Sequence, residues 1–237
     1  YNSRFHLENV LPGLSRFSIG ARYMLLSALA FSIMALFVKA AGQAGIPVME
    51  LVAARSLVSI IISVATLRRL STPLLGTRHY LLLARGAIGF LALSCVFYAL
   101  TQLPLAEATV LQYLHPMFTA ILALWLLHER PTKGTLACIA LSFVGMIIVV
   151  RPDFLFGYSS DSLPTFATLV AIAGAFGSAC AYVLVRKLAT TEHPLVIVLY
   201  FPMVSLPACL PFLWGHFVMP EGVVWLYLLG LGVFTQI

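Results

Sequence analysis

Residues 104–131 read PLAEATVLQYLHPMFTAILALWLLHERP, and this stretch decides the class of fold. It begins with a carboxylate at Glu107, ends on the charged residues 128–130, and is otherwise almost entirely apolar. About 20 helical residues at about 1.5 Å each cross a hydrocarbon core of about 30 Å. The stretch is therefore long enough for a transmembrane helix, and the polar residues and proline at its middle need a reason.

The composition of the whole chain also indicates a membrane protein. Of its 237 residues, 61% are hydrophobic and 9% are charged, whereas soluble proteins average about 25% charged residues. A soluble core of this size cannot hide so much apolar surface, so most of it is expected to face lipid. The four cysteines lie singly in apolar segments without metal-ligand spacing, so neither a metal site nor a cofactor is expected.

Apolar segments recur along the chain and are continuous, which predicts helices rather than the alternating strands of a membrane barrel. Seven segments and an eighth that is cut short lie at about 23–41, 48–67, 80–101, 105–127, 134–150, 165–185, 194–214 and 222–237. Residues 1–22 are predicted to form a cytoplasmic, interfacial segment, with a disordered tail as the alternative. The predicted class is an all-α polytopic membrane protein.

Basic residues predict the orientation. Ten of the 14 lie before span one or between spans two and three, four and five, and six and seven, while the opposite side holds only Lys39 and Arg151. By the positive-inside rule the amino terminus is cytoplasmic. The net charge of +6 comes from these short loops, without an aromatic-interleaved patch, so nucleic acid is not an expected partner.

A weak internal repeat relates span six to span one. A shift of 145 residues pairs Ala28, Ala30, Phe31 and Val38 with Ala173, Ala175, Phe176 and Val183. A repeat unit of five spans is odd in number, so the second copy would be inverted. Inverted repeats with a binding site between them are a common transporter plan.

The segments RGAIGFLALSCVFYALTQLPLAEATVLQYLHPMFTAILALWLLHERPTKG and GMIIVVRPDFLFG, within residues 85–157, carry a family resemblance. They resemble the first EamA domain of the drug/metabolite transporter superfamily. ELVAARS at 50–56 and AYVLVRKL at 181–188 are similar to the subfamily-G-like branch of solute carrier family 35. The resemblance covers roughly residues 23–237.

The resemblance implies a fold of ten helices in two inverted five-helix repeats, with both termini cytoplasmic, that moves small metabolites. On this basis residues 23–151 are the first repeat, 152–164 an outer loop and 165–237 a second repeat with about three of its five helices. About eight helices are thus expected in the chain. Two more are expected after Ile237 in the complete protein.

Arg55 is the strongest candidate for binding substrate. It lies seven residues inside span two, where an arginine costs at least about 2.5–3.5 kcal/mol on insertion scales unless it faces a partner or water. A guanidinium can hold a carboxylate or phosphate by two hydrogen bonds. The alternative is a buried ion pair with Glu107 or, less readily, Glu50.

The middle of residues 104–131 supplies the other candidate ligands. Pro116 cannot donate to the carbonyl of Gln112, so a kink with a freed carbonyl is expected there. His115 can bind a carboxylate or carry a proton, the alternative being a neutral histidine bonded to a neighbouring helix. Gln112 and Tyr113 are candidate ligands, although only one of the two needs to face a cavity.

The remaining charged residues near the membrane are given other roles. Lys39, Glu50 and Glu107 can form an outer gate or ion pairs. Arg85 is expected to reach the lipid headgroups as a structural residue, with substrate binding as the alternative. Glu129 is expected to form a structural salt bridge or helix cap at the cytoplasmic interface.

The second repeat is expected to contribute shape. Gly174, Gly177 and Ser178 give span six a small-residue face for close helix contact. Tyr182, lower on that helix, is a candidate ligand. Pro202, with two further prolines in span seven, predicts a bent helix.

Three function classes follow. An alternating-access transporter of a small organic metabolite is favoured, and a carboxylate-bearing substrate suits Arg55, with an aromatic or nucleoside-linked molecule left open. A membrane-embedded enzyme is the alternative, and a channel lacks a filter of carbonyls or charges. The expected partners are the lipid bilayer and the metabolite, with protons, a counter-substrate and a second copy of the chain left open. The expected location is the plasma membrane.

Overall fold

Helices make up most of the part of the chain that the computed structural model describes, which comprises residues 19–70, 73, 75–127, 132–150, 164–215 and 217–236. Nine helices lie within these ranges, numbered in chain order: α1 Ile19–Gln43, α2 Val48–Arg69, α3 His79–Gln102, α4 Leu105–Gln112, α5 His115–Leu127, α6 Lys133–Val150, α7 Thr165–Leu188, α8 Pro194–Leu213 and α9 Val224–Phe234. The predictions for residues 1–18, for Glu129 and for the outer loop up to residue 163 fall outside the described residues.

The predicted all-helical membrane fold is confirmed. Among the described helices, five are long and apolar enough to cross a membrane: α1, α2, α3, α7 and α8. The fourth predicted span is divided into α4 and α5 by a turn at Tyr113 and Leu114. Proline sets several helix starts, since Pro47, Pro104 and Pro164 are the residues before α2, α4 and α7. Its fixed φ suits the entry to a helix, and its missing N–H is not needed there.

The packing of the helices has an exchange symmetry. Helix α3 packs on α7 and α8, helix α2 packs on α8 and α9, and α1 packs on α9. Exchanging α1, α2 and α3 with α7, α8 and α9 maps this set of contacts onto itself. An inverted repeat produces this pattern, while the repeat boundaries drawn from the sequence stay predictions.

The small-residue face of α7 makes a close contact with α3, as predicted. A Cβ atom added at Gly177 would lie 3.0 Å from the Cβ of Ala92, and one at Gly174 would lie 3.0 Å from the Cβ of Cys95. Glycine at both positions lets the backbones of α7 and α3 approach. This contact holds the middle of α7 against α3, the helix that carries Arg85.

The ends of the helices define two sides of the molecule. On one, called the Lys39 side, α1 and α3 end while α2 and α4 begin. On the other, called the Glu192 side, α2 and α7 end while α3 and α8 begin. A buried hydrophobic group that we call the Leu188 cluster lies on the Glu192 side and consists of Leu67, Leu82, Leu188, Val196, Ile197, Leu199 and Tyr200.

Candidate functional site

A cavity of about 720 Å³ lies between helices α1–α3 and helices α7 and α8. Its wall is formed by residues of α1, α2, α3, α4, α5, α7 and α8, together with Tyr113 of the turn between α4 and α5. Small-molecule sites typically have volumes of about 300–1,000 Å³. Its polar lining residues are Ser27, Ser32, Arg55, Arg85, Thr109, Gln112, Tyr113, His115, Ser178 and Tyr182. All five candidate ligands predicted from the sequence are in this group.

The break between α4 and α5 places a histidine in the cavity wall. Pro116 has no N–H to offer the carbonyl of Gln112, and the imidazole Nδ1 of His115 lies 2.9 Å from that oxygen instead. Because a carbonyl only accepts, Nδ1 carries the hydrogen and Nε2 of a neutral His115 is an acceptor. The helix is interrupted next to Pro116, and the residue before the proline supplies the donor that the Gln112 carbonyl would otherwise lack.

Three aromatic rings form a stack across the cavity wall. The His115 ring lies 5.1 Å from the Tyr182 ring at an interplanar angle of 22°. On the other side, the Tyr113 ring lies 6.5 Å from the same His115 ring at an interplanar angle of 29°. Tyr113 and Tyr182 are each more than half exposed. The stack joins the α4–α5 break to α7 and offers flat faces to a bound molecule.

Gln112 completes the link between the break and α7. Its Nε2 lies 3.4 Å from Oγ of Ser178, which itself donates to the carbonyl of Gly174 at 2.8 Å. Gln112 and Tyr113 both line the cavity. From the sequence, only one of these two residues needed to face a cavity.

Two arginines share one phenylalanine in the cavity wall. The guanidinium carbon of Arg55 lies 5.0 Å from the centre of the Phe201 ring, and that of Arg85 lies 5.2 Å from the same centre. Such cation–π contacts are typical within about 6 Å. Nε and Nη1 of both arginines are buried, and the described residues offer them no hydrogen-bond partner.

Arg85 lines the cavity and its guanidinium lies over the Phe201 ring. This placement agrees with the alternative of substrate binding, and the expected contact with the lipid headgroups stays a prediction. Gly89, one helical turn further along α3, leaves the necessary space, since a Cβ there would lie 2.7 Å from Nη1 of Arg85 and 2.8 Å from the Phe201 ring. The glycines next to Arg85 were the available sequence signal. Nothing in the sequence indicated that Phe201 would contact the two arginines.

The structure describes Lys39, Glu50, Arg55 and Glu107, and it shows no ion pair among these four residues. Lys39 donates to the carbonyls of Thr101 at 3.1 Å and Leu103 at 2.7 Å, at the end of α3. Glu50 accepts from the backbone nitrogen of Val218 at 3.1 Å, and Oε2 of Glu107 is buried without a partner in the described part of the chain. The proposed pairing of Arg55 with Glu107 or Glu50 is therefore wrong for this structure, because a similar depth does not put side chains on facing surfaces. A gating role for the three residues stays a prediction.

A polar contact on the Glu192 side was missed by sequence reasoning. Oε1 of Glu192 accepts from the backbone nitrogens of Thr77 at 2.9 Å and Arg78 at 2.7 Å, and from the Thr77 hydroxyl. These bonds hold the pKa of Glu192 below its ordinary value. Nearby, Nδ1 of His79 lies 2.8 Å from the Tyr200 hydroxyl. Together with the Leu188 cluster, these contacts join the start of α3 to the start of α8.

Comparison with known proteins places the chain in a family. Residues 18–151 match the EamA-like transporter family. The pseudopaline exporter CntI of Pseudomonas aeruginosa is 32% identical over 215 residues, which are 90% of this chain and 73% of the exporter. Human solute carrier family 35 member G1 is 30% identical over 237 residues, which cover 94% of this chain and 62% of that protein.

More distant similarities agree with these. The S-adenosylmethionine uptake transporter of Rickettsia prowazekii is 25% identical over 145 residues, covering 61% of this chain and 47% of that protein. A solved crystal structure superposes with a TM-score of 0.60 at 22% identity, covering 89% of this chain and 74% of its own, and supports the fold. The chain therefore belongs to the EamA-like transporter family of the drug/metabolite transporter superfamily, and it is a membrane transporter protein.

Proposed function

We propose that the protein is an alternating-access transporter of a small metabolite that carries a carboxylate. The observation that supports this substrate class most directly is the unpaired guanidinium of Arg55 in the cavity wall. The cavity has no acidic residue among the described residues that line it. An unpaired cation in a low-dielectric site is costly, and a substrate carboxylate would supply the missing charge.

The aromatic stack supports a second property of the substrate. Tyr113, His115 and Tyr182 present ring faces beside the polar groups of the break. A flat ring on the substrate would stack on them, as in a nucleoside-linked metabolite. The relatives are transporters of chemically diverse molecules by their names, one of them for S-adenosylmethionine. Those names favour transport over the alternative of a membrane-embedded enzyme.

The proposed cycle uses both sides of the cavity in turn. With the amino terminus in the cytoplasm, as the basic residues predict, the Glu192 side is cytoplasmic and the Lys39 side faces outward. We place the protein in the plasma membrane. Contacts between α1–α3 and α7–α9 would then rearrange to open one side while the other closes.

Reconstitution of the complete protein in proteoliposomes tests this proposal. Uptake of a metabolite panel of organic acids, amino acids and nucleosides is measured with and without a pH gradient. Arg55→Gln is expected to reduce carboxylate uptake by about ten- to a hundredfold, the range for losing a charge-assisted contact. Arg69→Gln, an exposed arginine at the end of α2, is the matched control. Undiminished carboxylate transport by Arg55→Gln would show that the site assignment is wrong.

A further inference from the structure

Arg55 and Arg85 converge on one ring, although they come from different helices. Each guanidinium carbon lies about 5 Å from the centre of the Phe201 ring, so the two carbons are no more than about 10 Å apart. Both side chains line the same cavity. A single small molecule can therefore reach both.

The two charges are not balanced by any of the residues that the structure describes. The described part of the cavity wall contains no carboxylate, and Nε and Nη1 of both arginines lack hydrogen-bond partners there. Like charges at this separation repel, and burial makes each more costly. A ligand with one negative charge would balance only one arginine.

We propose that Arg55 and Arg85 form a two-point site for a dianion, a substrate with two anionic groups separated by a few atoms. Both guanidinium groups lie over the Phe201 ring, and Gly89 leaves space for the guanidinium of Arg85. Each guanidinium would take one anionic group by paired hydrogen bonds. This inference rests on the proposed function and narrows its substrate class.

Matched probes differ by one charge and little else. Succinate, glutarate and adipate are each compared with their half-amides, which keep the length of the acid and lose one negative charge. Binding is measured as thermal stabilisation of the complete protein, and transport as uptake into phosphatidylcholine vesicles. The wild type is expected to prefer at least one diacid over its half-amide by about tenfold or more.

Substitution at the second arginine tests the role of Arg85. Arg85→Gln is expected to remove the preference by weakening the diacid to about the level of its half-amide. Arg85→Lys should retain part of the preference, and Arg69→Gln should retain all of it. Competition by diacids and half-amides against tracer uptake in the wild type gives the same comparison without any variant that has to fold.

Each outcome separates the two proposals. Equal use of diacids and half-amides by the wild type overturns the two-point site and leaves carboxylate transport standing. Absence of binding and uptake for every acid in the panel contradicts the proposed function itself. Stabilisation by phosphatidylglycerol that Arg85→Gln abolishes, without stabilisation by any diacid, would assign the pair to a lipid headgroup and also overturn the inference.

Discussion

Oε1 of Glu192 accepts a hydrogen bond of 2.7 Å from the backbone nitrogen of Arg78, which precedes it by 114 residues. Arg78 is the residue before the first turn of α3, where backbone N–H groups lack partners within the helix. A carboxylate also complements the positive end of the helix dipole. One side chain from the α7–α8 loop thus fixes the start of the helix that carries Arg85.

Glu192→Gln is expected to loosen this side of the molecule. The amide keeps the shape of the side chain but loses the charge that strengthens its bonds to Thr77 and Arg78. We expect a Tm lower by a few degrees and faster thiol labelling of a cysteine introduced by Ala181→Cys in the cavity wall. Glu221→Gln, an exposed glutamate before α9, is the control. Equal behaviour of the two glutamine variants would contradict the role of Glu192 in holding the start of α3.

The pH dependence of stability provides a separate check on Glu192. Its pKa is lowered from the ordinary value of 4.5, mainly by the Thr77 hydroxyl and the Arg78 amide. A carboxyl with a lowered pKa stabilises the folded state above its unfolded pKa, and that stabilisation is lost as the pH falls through the folded pKa. The Tm gap between wild type and Glu192→Gln should therefore be full near neutral pH and shrink below about pH 4.5. A gap that is constant over that range would refute the assignment.

Gly89→Ala is expected to impair the substrate site more than the fold. The new methyl group would lie 2.7 Å from Nη1 of Arg85 and 2.8 Å from the Phe201 ring, so the guanidinium must move. Overpacking costs about 1–3 kcal/mol, and a flexible side chain can relieve part of it. We expect a KM raised several-fold for anionic substrates. Gly145→Ala in α6, where a Cβ meets nothing within 4 Å, should leave KM unchanged.

Two substitutions at His115 separate its hydrogen bond from its ring. His115→Phe keeps a ring beside Tyr182 but leaves the Gln112 carbonyl without its donor, at a cost of about 1–3 kcal/mol. His115→Asn keeps a donor near the position of Nδ1 and loses the stack. Melting curves should therefore show the larger loss of stability for His115→Phe. Uptake of ring-bearing substrates should fall more for His115→Asn. The reverse order in both assays would show that neither contact has the assigned role.

Lys39→Met is expected to destabilise the end of α3. The ammonium group donates to the carbonyls of Thr101 and Leu103, and a cation at a helix carboxyl end contributes about 0.3–1 kcal/mol, up to about 2 kcal/mol when partly buried. Lys187→Met, an exposed lysine in the last turn of α7, is the comparison. A loss of Tm no greater than that of Lys187→Met would exclude these bonds as a source of stability.

Hydropathy and local chemistry predicted the helices and a kink at Pro116, where the structure has a break, because both depend on nearby residues. A run of apolar residues sets a span, and a proline acts on its own turn of helix. The sequence also identified Arg55 and His115 as lining residues by the high cost of polar groups at that depth. It did not show that His115 itself would satisfy the carbonyl freed by Pro116.

The sequence did not predict which side chains on different helices contact each other. Hydropathy gives the depth of Arg85, and both headgroup contact and cavity contact are compatible with that depth. Two features from packing favour the cavity contact: Phe201 on α8 lies under the guanidinium of Arg85, and Gly89 leaves space for it. For the same reason the sequence could not exclude the alternative of an ion pair between Arg55 and Glu107, which the structure does not show. Glu192 was missed because its partners lie in a loop more than a hundred residues earlier.

The unpaired guanidinium groups of Arg55 and Arg85 also affect the energetics of the proposed transport cycle. When an alternating-access protein closes around its cavity, water leaves, and an empty cavity would retain two cations without a counter-charge. A bound dianion removes that penalty, so the loaded protein should change conformation faster than the empty one. A carrier with a slow empty return works by exchange. Preloading vesicles with substrate should therefore accelerate uptake from the opposite side.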